Sequence, residues 1–283
     1  MAIKETGRLP FTVLAIGQFG PSQLNARHVD TPRATTDEIE RQIAEEWTRQ
    51  TALAAAADRL LFNGDMLRYV SHEIGASSDG NACLNLVVGP TCYRDFVGTN
   101  LYYGSRTREL GWHRFANPVG TTATLRTADG KIAYGLRSQR VSFHAGHVHT
   151  FGGALEASDR HPDGSIDVFA SVCRELKEEL DLDAADLHDL NCTGLIRDSQ
   201  IHQPEMLFET RLELTMAQLR KKWLDAESAD EHDDLVELAD APEAILPFIR
   251  SCELIAPVAI GALFFHGQHA WGDAWTTKFI DDF

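Results

Sequence analysis

Arg174-Glu-Leu-Lys-Glu-Glu-Leu-Asp-Leu182 places three carboxylates, Glu175, Glu178 and Glu179, at i, i+3 and i+4. At 3.6 residues per turn all three project from one face of a helix. Val172, Leu176 and Leu180 fall on the other face and would anchor the helix in a core. Like charges stacked in this way weaken a helix unless cations neutralise them, and oxygen ligands of this kind suit a hard divalent ion such as Mg²⁺ or Mn²⁺. Spacing alone leaves two readings open, a metal-holding face and a solvated charged face.

Upstream stands Thr150-Phe-Gly-Gly-Ala-Leu-Glu156. The ordered combination GG-x-x-E, then R-E-L-x-E-E-L, after a strand-rich lead-in, resembles the signature of the Nudix hydrolases. The resemblance implies an α/β fold: an α/β/α sandwich around a mixed sheet, with a loop-helix-loop metal site. It also implies roles, with Glu175, Glu178 and Glu179 as ligands to Mg²⁺ or Mn²⁺, Gly153 as a backbone-carbonyl ligand, and Arg174 bracing a glutamate. Two departures stand out. Residues 157–167 contain an insertion, so the intermediate glutamate of the signature has no clear counterpart. Asp181 occupies the position of the glycine that ends the family's helix, and Asp enters the left-handed region less readily than Gly.

Such enzymes, as the resemblance implies, hydrolyse a nucleoside diphosphate linked to another group. That chemistry needs charge neutralisation on the diphosphate and an in-line water. The base varies in position across the superfamily. Here the acidic segment Asp225–Glu243 offers Glu231, Asp233 and Asp234, with Glu209 on a predicted strand as a further candidate; Glu231 is taken first.

Thr91-Cys-Tyr-Arg-Asp-Phe-Val-Gly-Thr-Asn100 is polar, aromatic and glycine-bearing, and reads as a substrate or interface loop. With the long N-terminal extension, Leu61-Phe-Asn63, Arg137-Ser-x-x-Val141 and the insertion inside the box, it resembles a Nudix subgroup that cleaves UDP-glucose and UDP-galactose to UMP and a sugar 1-phosphate. Between Thr91 and Arg140 there are eight basic residues against three acidic. That excess suits an anionic ligand. Arg94, Arg137 and Arg140 are the candidate phosphate contacts, and Tyr93 or Phe96 could stack a uracil ring. Surface arginines pairing with the acidic C-terminal half are the plain alternative. Within the enzyme class an ADP-ribose or dinucleotide pyrophosphatase stays open, and outside it a Nudix-like module that binds a nucleotide without cleaving it.

The 283 residues are 43% hydrophobic, enough for a packed core and about two units at roughly 150 residues each. A smaller α+β N-terminal domain over 1–128, contributing to substrate binding, and a Nudix domain over 129–283 are expected, divided near Thr-Ala-Asp-Gly130. The net charge is −16. It argues against a nucleic-acid partner, since duplex affinity rests on Lys and Arg. Two segments hold most of it: Arg174–Asp189, with seven acidic and two basic residues, and Asp225–Glu243, with nine acidic and none basic. A nearly neutral remainder leaves room for a metal-chelated diphosphate. Five dispersed cysteines without a CxxC pair fit a reducing cytoplasm. The apolar stretch Phe11–Ile16 is too short for a signal-peptide core, and Leu254–Phe265 too short for a membrane span, so a buried element is expected there. The resemblance also leaves a homodimer open.

Thr35-Thr-Asp-Glu38 predicts a helix start, with Ile39, Ile43 and Trp47 on one face and a continuation to Leu61. Strands are predicted at Met66–Ile74, Ala82–Val88, Ile132–Leu136, Val141–Phe143, Thr193–Arg197 and Met206–Leu214, and helices at Ala170–Leu182, Met216–Leu224 and after Pro257. Asp159–Asp167 imitates the start of a calcium loop but has Ala170 where the bidentate glutamate belongs. His144, His147 and His149 read as structural or substrate-contacting histidines, and His266, His269, Trp271 and Trp275 as core or dimer-contact residues. No GxSxG, GxxxxGK[ST] or GxGxxG motif occurs, which disfavours a serine hydrolase, a P-loop enzyme and a Rossmann dehydrogenase.

Overall fold

A computed structural model of the protein describes residues 9–57, 61–76, 80–141 and 143–283. The chain opens with β1 (Phe11–Phe19), β2 (Leu24–His28), α1 (Asp37–Ala56), β3 (Asp65–Ala76) and β4 (Ala82–Cys92). Two short helices follow, α2 (Tyr93–Phe96) and α3 (Thr107–Leu110), and then β5 (Gly120–Arg126), β6 (Lys131–Arg137), β7 (Val148–His149) and β8 (Ser165–Ile166). The remainder comprises α4 (Val168–Leu180), β9 (Leu187–Asp198), β10 (Pro204–Leu212), α5 (Met216–Leu224), β11 (His232–Ala239), α6 (Ile245–Ser251) and α7 (Pro257–Asp282).

One sheet runs β1-β9-β10-β5-β6-β11, with β7 on β6. The β5–β10 pair is parallel and the other pairs in it are antiparallel, so the sheet is mixed. Its two faces are covered by different helices. On one side Val172, Leu176 and Leu180 of α4 and Leu219 and Trp223 of α5 pack on Ala123, Leu125, Met206 and Phe208. On the other, α6 and the first half of α7 pack on Ile132, Tyr134, Ile196 and Leu207. Leu207 thus points opposite to Met206 and Phe208, the alternation that a strand buried on both faces requires. The result is an α/β/α sandwich. A second sheet, β3-β4-β2-β8, lies beside it and shares the first core through Leu24, Leu67, Leu84 and Leu86.

The two expected domains are joined through this sheet. β1 and β5 both lie before residue 129 and both are strands of the sandwich, and the Thr127–Lys131 turn connects the antiparallel pair β5 and β6. Backbone pairing, not sequence position, decides where a strand belongs. Phe11–Ile16, expected only to be an apolar stretch too short for a signal-peptide core, belongs to β1, whose partner β9 is far away in sequence. The acidic segment also contains a strand: His232, Leu235 and Leu238 of β11 are buried, and its acidic residues Asp233, Asp234 and Glu237 are exposed. α1 ends at Ala56; its expected continuation to Leu61 runs through 58–60, which lie outside the described residues. No strand forms at Val141 or Phe143, which sit in bends.

The glutamate helix forms as its sequence requires. Asp167 caps α4 by accepting from the Ala170 N–H at 2.9 Å. Asp181 ends it in the left-handed region, φ 55° and ψ 32°, doing the work of the family's glycine. Lys177, one turn back, and Lys222 of α5 hold the Asp181 side chain, and Lys222 also donates to its carbonyl at 2.7 Å. The insertion upstream of α4 is not a free loop. It contains β8, which extends the second sheet by pairing Ile166 with Ala26 of β2.

α7 starts with Pro257 at its first turn, where no N–H is needed. Residues 257–267 are all buried, as expected for the apolar run. Gly272, at φ 77° and ψ −172°, interrupts the helix and folds its last turns back, so that Trp275 lies against Gly267. No helix among the described residues is long and apolar enough to cross a membrane.

Candidate active site

The Gly152–Gly153 loop runs antiparallel alongside β5, next to α4. Thr121 N–H donates to the Gly153 carbonyl at 2.7 Å, and Gly152 N–H donates to Glu179 Oε2 at 3.1 Å. Both glycines are required. Gly152 has φ 141°, and a Cβ there would run into the Thr121 carbonyl; a Cβ at Gly153 would stand 2.5 Å from the Glu175 carboxylate. The helix carboxylates therefore lie directly beneath a backbone from which side chains are excluded.

Arg174 organises the group. Its guanidinium donates to Glu175 Oε1 at 2.7 Å and lies 3.7 Å from Glu178 and 3.5 Å from Asp159. Asp159 comes from the insertion, so that departure from the signature supplies the arginine with a third acidic partner. Glu179 is only 3% exposed, and burial holds its carboxyl well above the usual range, helped by the nearby Glu231. Burial also raises Glu175 to about 7, against the pull of Arg174. Carboxylates this poorly compensated are a natural seat for a cation, and the donor set is oxygen throughout. Among the described residues no three His, Cys, Asp or Glu side chains already converge as a metal cage.

A cavity of about 800 Å³ opens above the glycine loop. Gly152, Gly153, His149, Arg137, Arg140 and Glu231 line it, together with Tyr93, Phe96, Val97, Leu101 and Tyr102. Of the residues expected from sequence, the structure thus brings together Gly153, Glu231, Arg137, Arg140 and Tyr93 around the cavity. Glu175 and Glu179 lie against the glycine loop and Glu178 is half-buried beside Arg174; none of the three is among the lining residues. Arg94 is not among them either. The segment expected to be a loop is helical, and Tyr93, Phe96 and Val97 share one face at i, i+3, i+4, which turns Arg94 away. Its backbone N–H donates to Asn63 Oδ1 at 2.7 Å.

Glu231 sits in the turn just before β11, 3.7 Å from Arg137. Its carboxyl is raised by burial. Of the other base candidates, Asp234 is tied to Arg220, and Glu209 faces α7, bonded to His266. Phe143 and His144 stack at 3.7 Å between ring centroids, with His147 and His149 at 4.9 and 5.5 Å from His144. Burial, with His147 and Arg137 nearby, pushes His144 down to about 3, and burial and Arg137 also drive His149 down. Gln203, Glu205, Thr121 and Thr122 also line the cavity. Sequence reasoning passed over these four because the parallel pairing of β10 with β5 that gathers them has no local signal.

A glycine loop feeding a glutamate-bearing helix, against a mixed sheet flanked by helices, is the layout that the sequence resemblance implied. No protein-family model matches the chain. Among curated proteins, the uridine diphosphate glucose pyrophosphatase NUDT22 of Homo sapiens is 29% identical over 185 residues, covering 58% of this chain and 61% of the human protein. The protein of the same name from Mus musculus is 27% identical over 231 residues, 74% of this chain and 75% of its own length. Nudix hydrolase 9 of Arabidopsis thaliana is 26% identical over 226 residues, 70% and 71% of the two chains. The match to the human relative thus spans about three fifths of that protein. Of solved structures, DR0079 from Deinococcus radiodurans shares 16% identity over 68% of this chain and 96% of its own, with a TM-score of 0.41. A MutT protein from Methanosarcina mazei Go1 shares 18% over 52% and 89%, with a TM-score of 0.33. By its curated relatives, the chain is related to the Nudix hydrolases.

Proposed function

We propose that the protein hydrolyses the diphosphate linkage of a nucleotide sugar in a divalent-metal-dependent reaction, with UDP-glucose or UDP-galactose as substrate and UMP and a sugar 1-phosphate as products. The observation that carries this reading is the seating of the buried Glu175 and Glu179 against the Gly152–Gly153 loop, which lines the cavity together with Arg137 and Arg140. The uridine and the sugar come from the names of the mammalian relatives.

Glu175, Glu178, Glu179 and the Gly153 carbonyl would hold the cation, Mg²⁺ or Mn²⁺, which supplies charge neutralisation on the diphosphate. Arg174 keeps Glu175 and Glu178 on the loop side of α4. Arg137 and Arg140 enter from the strand opposite and match phosphate oxygens with their planar forks. Glu231, next to Arg137, accepts the proton of the attacking water. Tyr93 and Phe96 form the apolar wall against which a uracil ring stacks. In this reading residues 1–128 contribute the base-binding wall and 129–283 the catalytic helix, around two sheets that share one core. Five free thiols are compatible with a cytoplasmic protein.

The test is release of UMP from a panel of UDP-sugars, with ADP-ribose included, in Mg²⁺ and in EDTA. Expected are turnover that EDTA abolishes and a loss of about 10²-fold or more in kcat for Glu178→Gln and Glu179→Gln. A folded wild type that releases UMP from no UDP-sugar would sink the proposal.

A further inference from the structure

One carboxylate faces the cavity without a task in the mechanism above. Glu205 is the second residue of β10, paired through its backbone with Gly120 on β5 and Ile196 on β9. Its carboxylate lies directly over Gly120, where even a methyl group would overlap it, so the missing side chain at 120 is what makes room for it. Among the described residues nothing donates a hydrogen bond to this carboxylate or pairs with it as a cation. The charge it feels most is Asp198, which repels it. Asp198 cannot turn to help, because its Oδ1 accepts from the N–H groups of Gln200 at 2.5 Å and Ile201 at 2.8 Å and so closes the β9–β10 turn. Burial and this repulsion hold the Glu205 carboxyl well above its ordinary range.

A polar group withdrawn from water without a partner costs free energy, and a carboxylate more than a neutral group. Glu205 nonetheless opens to the cavity beside Gln203, Thr121 and Tyr93. What it lacks is a donor, and the cavity is where a donor would come from. A cationic ligand group would meet Arg137 and Arg140 in the same space. Neutral O–H donors would not, and two adjacent hydroxyls satisfy both oxygens of one carboxylate at once.

We propose that Glu205 is a specificity-determining residue that accepts hydrogen bonds from a vicinal diol of the bound nucleotide's sugar, in the space that Gly120 leaves. This rests on the nucleotide-sugar reading above. The diol belongs either to the ribose or to the hexose, and the two are separable by ligand.

Binding is measured by calorimetry in Mg²⁺ on the full chain, using UDP-glucose with a methylene bridge in place of the bridging oxygen, which cannot be cleaved there. UDP with the same bridge and its 2′,3′-dideoxy form are the other ligands. Two variants probe the site differently: Glu205→Gln replaces one acceptor oxygen by an amide donor in place, and Gly120→Ala keeps the carboxyl group but displaces it. Both are expected to weaken binding of the UDP-glucose analogue at least tenfold. If the hexose carries the diol, both bind the UDP analogue as wild type does. If the ribose carries it, they lose affinity for that analogue too and match wild type on the dideoxy form. Unchanged affinity of Glu205→Gln for all three ligands overturns the proposal. So does a fall in its kcat on UDP-glucose at constant KM, which would make Glu205 a base or metal ligand. Wild-type protein that binds these ligands but cleaves no UDP-sugar defeats the functional reading and leaves the Glu205 comparison intact. Wild-type protein that binds neither them nor a methylene-bridged ADP-ribose defeats both.

Discussion

Replacing His266 by leucine should remove a pH-dependent part of the protein's stability. The imidazole, 1% exposed, lies on α7 between two carboxylates: Nδ1 is 3.0 Å from Glu209 Oε2 on β10, and Nε2 is 2.8 Å from Asp240 Oδ1 just after β11. Arg126 of β5 closes the group, donating to Asp240 at 2.9 Å and Glu209 at 3.3 Å. His269, one turn along α7, faces Glu209 as well. Burial by itself would lower His266, but the two carboxylates outweigh it and raise it to about 9. Asp240 is likewise held down at about 2 by His266 and Arg126 in spite of its own desolvation.

The direction of the pH effect follows. A histidine whose folded pKa exceeds the unfolded 6.5 contributes fully below pH 6.5 and loses that contribution as pH rises through about 9. Asp240 contributes fully above 3.8 and loses its contribution as pH falls through about 2. Both shifts describe one interaction and are counted once. At 1.36 kcal/mol per unit, the His266 shift corresponds to roughly 3 kcal/mol. That is the size expected for breaking a buried ion pair by removing one partner, and it corresponds to a fall of about 6–10 °C in Tm. Urea denaturation from pH 5 to pH 10 tests it. Wild-type stability should decline between pH 6.5 and 9, whereas His266→Leu should be less stable at pH 6 and lack that decline. A variant with the same slope as wild type across this window would refute the linkage, since the other titrating groups are common to both proteins.

Leu176→Ala should cost about 2–5 kcal/mol in urea denaturation, because Leu176 is wholly buried between α4 and the sheet and leaves a cavity there; a cost under about 1 kcal/mol would show that α4 is not anchored by this face. Gly152→Ala should cost roughly 2–4 kcal/mol through backbone strain at φ 141° and collision with the Thr121 carbonyl, read as a lowered Tm in a thermal melt. Glu231→Gln should lower kcat for the preferred substrate about 10²-fold with little change in KM, and steady-state kinetics showing full activity would remove Glu231 as the base.

Several features were legible from sequence because their causes are local. The i, i+3, i+4 glutamates with leucines opposite specify α4, Asp181 ends it in the left-handed turn open to an aspartate, and α1 starts within Thr35–Glu38, where Thr36 alone accepts from Ile39 N–H at 3.3 Å in place of the expected reciprocal box. Each depends on residues within one helical turn. The position of Gly153 beside Glu175 followed from the order of the signature, and its need for a missing side chain became a matter of 2.5 Å only in three dimensions.

Other features have no such local cause. Backbone N–H and C=O groups are the same in every strand, so nothing near Phe11 announces that β1 pairs with β9, and nothing in β5 announces its parallel partner β10. Those pairings join the two halves of the chain in one sheet, bring Glu205 over Gly120, and set His266 between Glu209 and Asp240. A change of one position along α2 separates Tyr93, which lines the cavity, from Arg94, which does not. The sequence by itself determined the carboxylate helix, its caps and the chemistry they suit, because short-range geometry dictates them. Which distant side chains share the cavity was decided by tertiary structure, because long-range strand pairing places them through backbone bonds that carry no residue-specific signal.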